Sequence, residues 1–257
     1  MIGAIAGDII GSVYERSPIK TKESPLFSPS STFTDDTVLT VAIAEAILTG
    51  RSYLECLRDV GRRYPNAGYG GNFFRWLFSE DPRPYNSWGN GSAMRVSPVG
   101  FAFGDETVVL REAEKTAAVT HNHPEGIKGA QATALAIYLA RKGHLKEEIR
   151  ERISADFNYD LGRSVAAVRP SYGFDISCQG TVPEAIISFL DSTSYEDAVR
   201  NAVSLGGDSD TLACIAGSIA EAYYGPVPDP IQAAVRNALP PDLLGIVDTF
   251  YAKFMSH

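Results

Sequence analysis

Apolar residues recur with a helical period along most of this chain. The segment Thr37–Leu48 is almost entirely apolar, which predicts a helix buried on several sides. Pro124–Arg141 opens with Pro and Glu and closes before a glycine, and Thr211–Tyr224 also ends at a glycine, as helices commonly do. Further helices are predicted at Tyr53–Arg63, Glu106–Val119, Lys146–Ala155, Val182–Leu190, Tyr195–Val203, Pro230–Ala238 and Asp242–Phe254.

Signals for strands are nearly absent. The alternating stretch Val165–Val168 is the one strand candidate of note, and it is short. Ser17–Ser31, rich in Ser, Pro and Lys, predicts a mobile surface loop, and Pro65–Gly71 and Asp81–Gly91 predict two more loops. We therefore expect an all-α fold in a single domain over residues 1–257, larger than a four-helix bundle.

Composition narrows the class of protein. A length of 257 residues suits one large domain, and a net charge of −8 does not favour nonspecific binding to nucleic acid or anionic membrane. No apolar run approaches a bilayer span, and Asp8 interrupts an N-terminus that lacks the basic residues of a signal peptide. The three cysteines, Cys56, Cys178 and Cys214, are too few and too scattered for a disulfide framework, so a reducing cytoplasm is expected.

Two acid-rich segments each open an apolar helix. Thr34-Asp35-Asp36-Thr37 precedes the first, and Asp208-Ser209-Asp210-Thr211 follows two glycines at the start of the second. Each alone is explained by helix capping. If the two helix starts meet, however, four carboxylates would repel one another strongly. A pair of Mg²⁺ or Mn²⁺ ions with oxygen ligands would neutralise them, so together the segments predict a binuclear metal site.

Two polar segments lie between these acid clusters. The glycines of Gly89-Asn90-Gly91, followed by Ser92, Ala93, Met94 and Arg95, could cradle an anion with their backbone N–H groups or form a plain loop. His121 and His123 stand just before the helix that starts at Pro124. They could cap that helix or form the polar rim of a ligand pocket.

The N-terminal helix carries glycine at every fourth position. Gly3, Gly7 and Gly11 form one smooth stripe, which predicts close contact with another helix. Glu15 follows just beyond the stripe and could be an ordinary exposed carboxylate or a functional one.

In this order, the five segments resemble the ADP-ribosylglycohydrolase family. The resemblance runs from GAIAGDIIGSVYE to GGDSDTLACIAGSIAEAYYG and so covers almost the whole chain. It implies an all-α orthogonal multi-helix bundle with two Mg²⁺ ions, for which Mn²⁺ can substitute. It also implies hydrolysis at the C1″ carbon of the distal ribose, which releases ADP-ribose from a modified protein, nucleobase or small molecule.

The resemblance also implies a role for each site residue. The metal ligands would be Thr34, Asp35, Asp36, Asp208, Asp210 and Thr211. The diphosphate and distal ribose would lie along Gly89, Asn90, Gly91, Ser92 and Met94, with His121 as a further substrate contact. Glu15 would lie beside the scissile bond, and either Glu15 or Asp36 would be the general base. The Ser17–Ser31 loop, whose length differs among relatives, could move over the site.

Three matters stay open at this level. A catalytically inactive structural or ADP-ribose-binding relative would share the fold, although all six candidate ligands are present here. A different two-metal hydrolase, such as a phosphoesterase, would also use paired carboxylate clusters. The acceptor can be arginine, serine, a nucleobase, a small guanidine or an ADP-ribose polymer, and neither the choice between Mg²⁺ and Mn²⁺ nor the oligomeric state is defined.

Overall fold

Helices make up the regular structure of this chain. The computed structural model describes residues 1–255, and within that range it contains fifteen helices and no strand. They are α1 (Ile2–Gly11), α2 (Asp35–Thr49), α3 (Tyr53–Arg63), α4 (Gly71–Phe78), α5 (Gly91–Met94), α6 (Ser97–Ala102), α7 (Glu106–Ala118), α8 (Pro124–Arg141), α9 (Lys146–Phe157), α10 (Val165–Val168), α11 (Cys178–Leu190), α12 (Tyr195–Val203), α13 (Ser209–Tyr224), α14 (Asp229–Ala238) and α15 (Pro241–Phe254). The all-α prediction is confirmed.

The core is built around α13. This helix packs against α1, α8, α11 and α12, and its residues Ser209–Glu221 are all buried. Most apolar residues of α2 and α8 are buried in the same contiguous hydrophobic core, which extends from α1 to α15. Helices buried on several sides need apolar residues on more than one face, as their sequences show.

The glycine stripe of α1 lies directly on α13. A Cβ atom at Gly3, Gly7 or Gly11 would overlap a backbone carbonyl oxygen of α13, respectively that of Gly217, Ala213 or Ser209. Only glycine permits this approach of the two backbones. The predicted close helix contact is confirmed, and it places the end of α1 beside the start of α13.

Val165–Val168 is a helical turn, so the strand prediction was wrong. The hydroxyl of Ser164 accepts a hydrogen bond from the amide of Ala167 at 3.2 Å and caps the turn. The amide of Val165 donates to a carboxylate oxygen of Asp191 at 2.6 Å. A cap and a tertiary hydrogen bond outweigh the strand preference of two valines.

Other predicted helices differ mainly at their ends. The largest difference is in α11, which begins at Cys178 with a Ser177 cap, four residues before the predicted start, and contains Pro183. Two short helices, α4 and α6, were not predicted. The three predicted loops carry no helix before Gly71 and Gly91, where α4 and α5 begin.

The Ser17–Ser31 segment is a surface loop that is tied to the helices behind it. The ammonium of Lys20 donates to the carbonyl oxygens of Arg169, Tyr172 and Leu205. The guanidinium of Arg200 donates to two carbonyl oxygens of the same loop. Within residues 1–255 no helix combines the length and apolar character needed to cross a bilayer.

Candidate active site

The two acid-rich helix starts meet in one cavity of about 370 Å³, a size typical of small-molecule sites. α2, α4, α5, α13 and the loops around them bring together residues that lie up to nearly two hundred positions apart. The predicted site residues that line this cavity are Glu15, Thr34, Asp35, Asp36, Gly89, Asn90, Gly91, Met94, His121, Asp208, Asp210 and Thr211.

The start of α2 is held from behind by Asp8 of α1. One carboxylate oxygen of Asp8 accepts from the amides of Thr34 (2.9 Å) and Thr37 (3.1 Å) and from the hydroxyl of Thr37. Its other oxygen accepts from the hydroxyl of Thr34 at 2.7 Å. The hydroxyl oxygen of Thr34 in turn accepts from the amide of Asp36 and caps the helix. Sequence analysis did not assign Asp8 to the site, although its signal is visible as the one charge inside an apolar, glycine-striped helix.

The start of α13 is held by the glycine loop. The side-chain amide of Asn90 donates to Asp208 at 2.7 Å and to the hydroxyl of Thr181 at 3.1 Å. Asp208 stands at the N-cap position but makes no capping hydrogen bond with its side chain. Its carboxylate is therefore free of the usual capping role and lines the cavity.

Burial and mutual repulsion raise the pKa of most carboxyl groups around the cavity. Burial is the largest cause for Asp35, Asp36 and Asp208, and the charge of Asp210 comes next. The same two causes raise the pKa of Asp8 to about 7 and that of the half-buried Glu15 above its usual value. Such a cluster attracts cations, because a cation relieves the repulsion that holds these protons.

The donor set fits a hard cation. One carboxylate oxygen of Asp36 is buried without a hydrogen-bond partner, and the other accepts a 3.4 Å hydrogen bond from the hydroxyl of Thr211. In residues 1–255 no group of three or more His, Cys, Asp or Glu side chains is arranged to hold an ion unaided. Ions here would therefore rely on threonine oxygens and water as well, and Mg²⁺ ordinarily keeps several waters.

The glycine loop is only partly as predicted. Gly89, Asn90 and Gly91 line the cavity, but the amides of Gly89 and Asn90 already donate to Ser87 Oγ and to the carbonyl of Ile176. The side chain of Ser92 faces away: it is fully buried and donates to the carbonyl of Gly126 at 2.7 Å. A substrate contact through the Ser92 hydroxyl is thus corrected to a structural contact with α8.

Of the two predicted roles, helix capping and lining a ligand pocket, each histidine takes one. His123 caps α8, because its Nδ1 accepts from the amide of Glu125 at 3.1 Å. His121 is buried in the cavity wall, and burial together with the Arg95 guanidinium lowers its pKa well below the usual value. His121 is therefore a neutral imidazole facing the cavity.

An apolar rim adds residues that sequence analysis did not foresee. Phe174 and Ile176, which line the cavity, are 61% and 60% exposed, and Trp88 beside the glycine loop is 53% exposed. Large apolar side chains are seldom left so open in one place without a ligand to cover them. Their only signal in the sequence is that they lie in polar, turn-rich segments.

The fold and the site together define the class of protein. It is an all-α protein with an acid-lined cavity, and a glycine loop and a neutral histidine border that cavity. The whole chain, residues 1–257, matches the family ADP-ribosylglycohydrolase. The chain belongs to this family and is a hydrolase that removes ADP-ribose.

Known relatives match most of the chain. ADP-ribosylhydrolase ARH3 from Mus musculus is 28% identical over 328 residues, covering 95% of this chain and 88% of the relative. ADP-ribosylarginine hydrolase Tri1 from Pseudomonas putida is 24% identical over 260 residues, covering 88% and 69%. A solved structure described as an ADP-ribosylglycohydrolase-related protein complex superposes with a TM-score of 0.74 at 24% identity, covering 99% and 97% of the two chains, and so shares the fold.

Proposed function

We propose that this hydrolase cleaves the C1″ glycosidic bond of an ADP-ribosylated acceptor with the help of two Mg²⁺ ions, for which Mn²⁺ can substitute. The observation that carries the proposal is the convergence of two acid-rich helix starts on one cavity with an unsatisfied, buried oxygen on Asp36. The proposed ligands are Thr34, Asp35, Asp36, Asp208, Asp210 and Thr211.

When bound, the ions would supply Lewis-acid chemistry and offset the charge of the carboxylates. The chain's own residues do the rest. The carboxylates around the cavity favour the positive charge that develops on the ribose carbon as the glycosidic bond breaks. The glycine loop and Met94 shape the wall along which the distal ribose and the diphosphate would lie.

Glu15 is the better candidate for the general base. It lines the cavity from the turn that follows α1, and burial followed by the charge of Asp210 raises its pKa, which makes the carboxylate a stronger base. Asp36 lies deeper, accepts a hydrogen bond from Thr211 and is repelled by four other carboxylates. We assign Asp36 to the metal ligands and Glu15 to proton transfer from water.

The substrate class follows from the family, and the acceptor is the part left to experiment. An ADP-ribosylated protein, a nucleobase or a small guanidine could each present its bond at the open side of the cavity. The three cysteines are buried and unpaired, which supports the proposed cytoplasmic location.

The decisive experiment measures ADP-ribose release from substrates of defined linkage, with arginine- and serine-linked ADP-ribose tested in parallel beside a plain phosphodiester. We expect release from at least one ADP-ribosyl linkage, dependence on Mg²⁺ or Mn²⁺, and no release from the phosphodiester. Asp210→Ala should abolish both turnover and calorimetric metal binding. Asp248→Ala, which removes an exposed carboxylate paired with Arg236, is the matched control.

Single-turnover rates separate the two carboxylates. Glu15→Gln should slow release about 10²–10⁴-fold while metal affinity is kept. Asp36→Asn should lower metal affinity and turnover together. Near-normal release by Glu15→Gln would exclude it as the base, and activity without any divalent cation would overturn the metal proposal.

A further inference from the structure

Arg95 is a buried cation without an anion. Its side chain is fully buried in residues that also wall the cavity, and among residues 1–255 no carboxylate forms an ion pair with it. Nη2 donates to the carbonyl of Thr116 (2.7 Å) and to Oγ1 of Thr120 (2.9 Å), whereas Nε and Nη1 have no hydrogen-bond partner. The guanidinium also lies 5.9 Å from the centroid of the Phe73 ring. Burying a charge without an anion is costly, which points to a role beyond packing.

The hydrogen bond to Thr120 has a directional consequence. A guanidinium can only donate, so Thr120 Oγ1 must accept from Arg95. Thr120 Oγ1 also lies 2.7 Å from Nδ1 of His121. The hydroxyl hydrogen can then point at Nδ1, and in that arrangement Nδ1 is the unprotonated nitrogen of the ring.

The other ring nitrogen faces the glycine loop. A Cβ atom placed on Gly91 would lie 3.1 Å from Nε2 of His121, and one placed on Gly89 would lie 3.6 Å away. Nε2 therefore looks onto the surface along which the proposed substrate would lie. These two glycines leave the space in which an oxygen atom can reach it.

We propose that Arg95 is a positioning residue: acting through Thr120, it fixes His121 as the tautomer that carries its hydrogen on Nε2, and this N–H donates to an oxygen of bound ADP-ribose. The identity of the ligand rests on the proposed function, but the tautomer does not.

The Tyr85 hydroxyl is the rival partner for Thr120. It lies near the same hydroxyl, and burial raises the pKa of Tyr85 to about 12, so it stays protonated and can donate. If Thr120 donated to Tyr85 instead, Nδ1 of His121 would be the donor and Nε2 would be the acceptor. The two arrangements predict opposite protonation of the two ring nitrogens.

The test is the ¹⁵N NMR spectrum of the imidazole rings in the full-length, ligand-free protein. The chain has four histidines, and the His121→Gln spectrum assigns the signal of interest. We expect His121 to show a pyridine-type Nδ1 and a pyrrole-type Nε2. Thr120→Val should mix the two tautomers, Thr120→Ser should restore the single one, and Tyr85→Phe should leave it unchanged.

ADP-ribose affinity is measured on the same variants with metal present. Thr120→Val should weaken binding about 3- to 10-fold, the usual worth of one aligned neutral hydrogen bond, and Thr120→Ser should recover it. A protonated Nδ1 in the parent protein, or a Thr120→Val protein with an unchanged tautomer and affinity, would overturn the proposal. The expected tautomer in a protein that binds no ADP-ribose would instead overturn the proposed function.

Discussion

The starts of α2 and α13 are alike in sequence and are held in different ways. Both present Thr and Asp residues to the cavity at the head of an apolar helix. The α2 start is capped by Thr34 and fixed by a second carboxylate, Asp8, which is wholly buried. The α13 start has no side-chain cap and is fixed by a neutral amide, that of Asn90.

The two helix starts differ in whether the residue that orders them also adds a charge to the site. Asp8 orders the α2 start with four hydrogen bonds, but its charge also raises the pKa of Asp35 and Asp36, after burial and Asp210. Asn90 orders the α13 start without adding charge. The α2 half of the site should therefore be more rigid and more dependent on cations, and the α13 half should be the more easily displaced.

The largest effect is expected from Asp8→Asn. Four donors lose a charged acceptor, and the new amide directs N–H groups at donors, so unfolding free energy should fall by about 2–4 kcal/mol despite the relief of repulsion. Turnover should fall together with the stability, because the side chains of Thr34 and Asp36 move from their positions in the site. Urea unfolding in Mg²⁺ buffer measures the loss.

Asp248→Asn is the control for that change, because the exposed carboxylate of Asp248 pairs only with Arg236 among the described ion pairs of residues 1–255. It should alter the unfolding free energy by no more than about 0.5 kcal/mol. An Asp8→Asn protein as stable and as active as the parent would show that the α2 start orders itself.

Asn90→Asp tests the α13 half of the site. It replaces the donor with a carboxylate that faces Asp208, and a loss of about 1–3 kcal/mol in unfolding free energy is expected. Adding Asp208→Asn restores the hydrogen bond with the roles exchanged: position 208 now donates and position 90 accepts. The double variant should therefore regain stability but not metal affinity, as calorimetry would show; regained metal binding would remove Asp208 from the ligands.

Asp210→Asn tests the charge side of the comparison. In chelator-containing buffer the parent's carboxyl groups with raised pKa, among them Asp8 at about 7, keep protons that the unfolded chain has released. The parent should therefore lose stability as pH rises from about 4 to 7, and the variant should lose less, with a gap of about 1 kcal/mol by pH 7. Adding Mg²⁺ should make the parent the more stable of the two proteins, because Mg²⁺ stabilises only the parent. A gap that does not change with pH would contradict the repulsion.

The smallest effect is expected from Lys20→Met, which releases the loop after Glu15 from the carbonyls of Arg169, Tyr172 and Leu205. Because the ammonium is exposed, stability should change by no more than about 1 kcal/mol. Turnover should fall more than ADP-ribose affinity, since Glu15 loses its fixed position. Lys253→Met, at an ammonium above the neighbouring Phe254 ring, is the control, and equal turnover by both would separate the loop from Glu15.

Most helices of the fold could be predicted from the sequence, because a long apolar periodicity is a local property of the chain. They failed where tertiary contacts decide, as at Val165, whose amide is drawn to Asp191, and at α11, where Ser177 supplies a cap ahead of Pro183. Helix α4 was missed because glycine precedes it and no capping side chain marks its start.

The candidate site shows the same limit. Residues that occur in pairs and in motifs, such as Asp35 and Asp210, were found because their chemistry is repeated in the sequence. Asp8 and Arg95 were not, because a single charge in a helix or loop has meaning only once its neighbours are known. The facing direction of Ser92 also depends on a contact with Gly126 that no local pattern encodes.

The glycine contact between α1 and α13 has a consequence for the time course of synthesis. α1 leaves the ribosome about two hundred residues before α13, the helix on which it lies. Until then α1 has an open apolar face, and the cavity lacks Asp208 and Asp210. Contacts so distant along the chain form slowly, so the emerging protein has a long interval in which chaperones or aggregation can compete for that face.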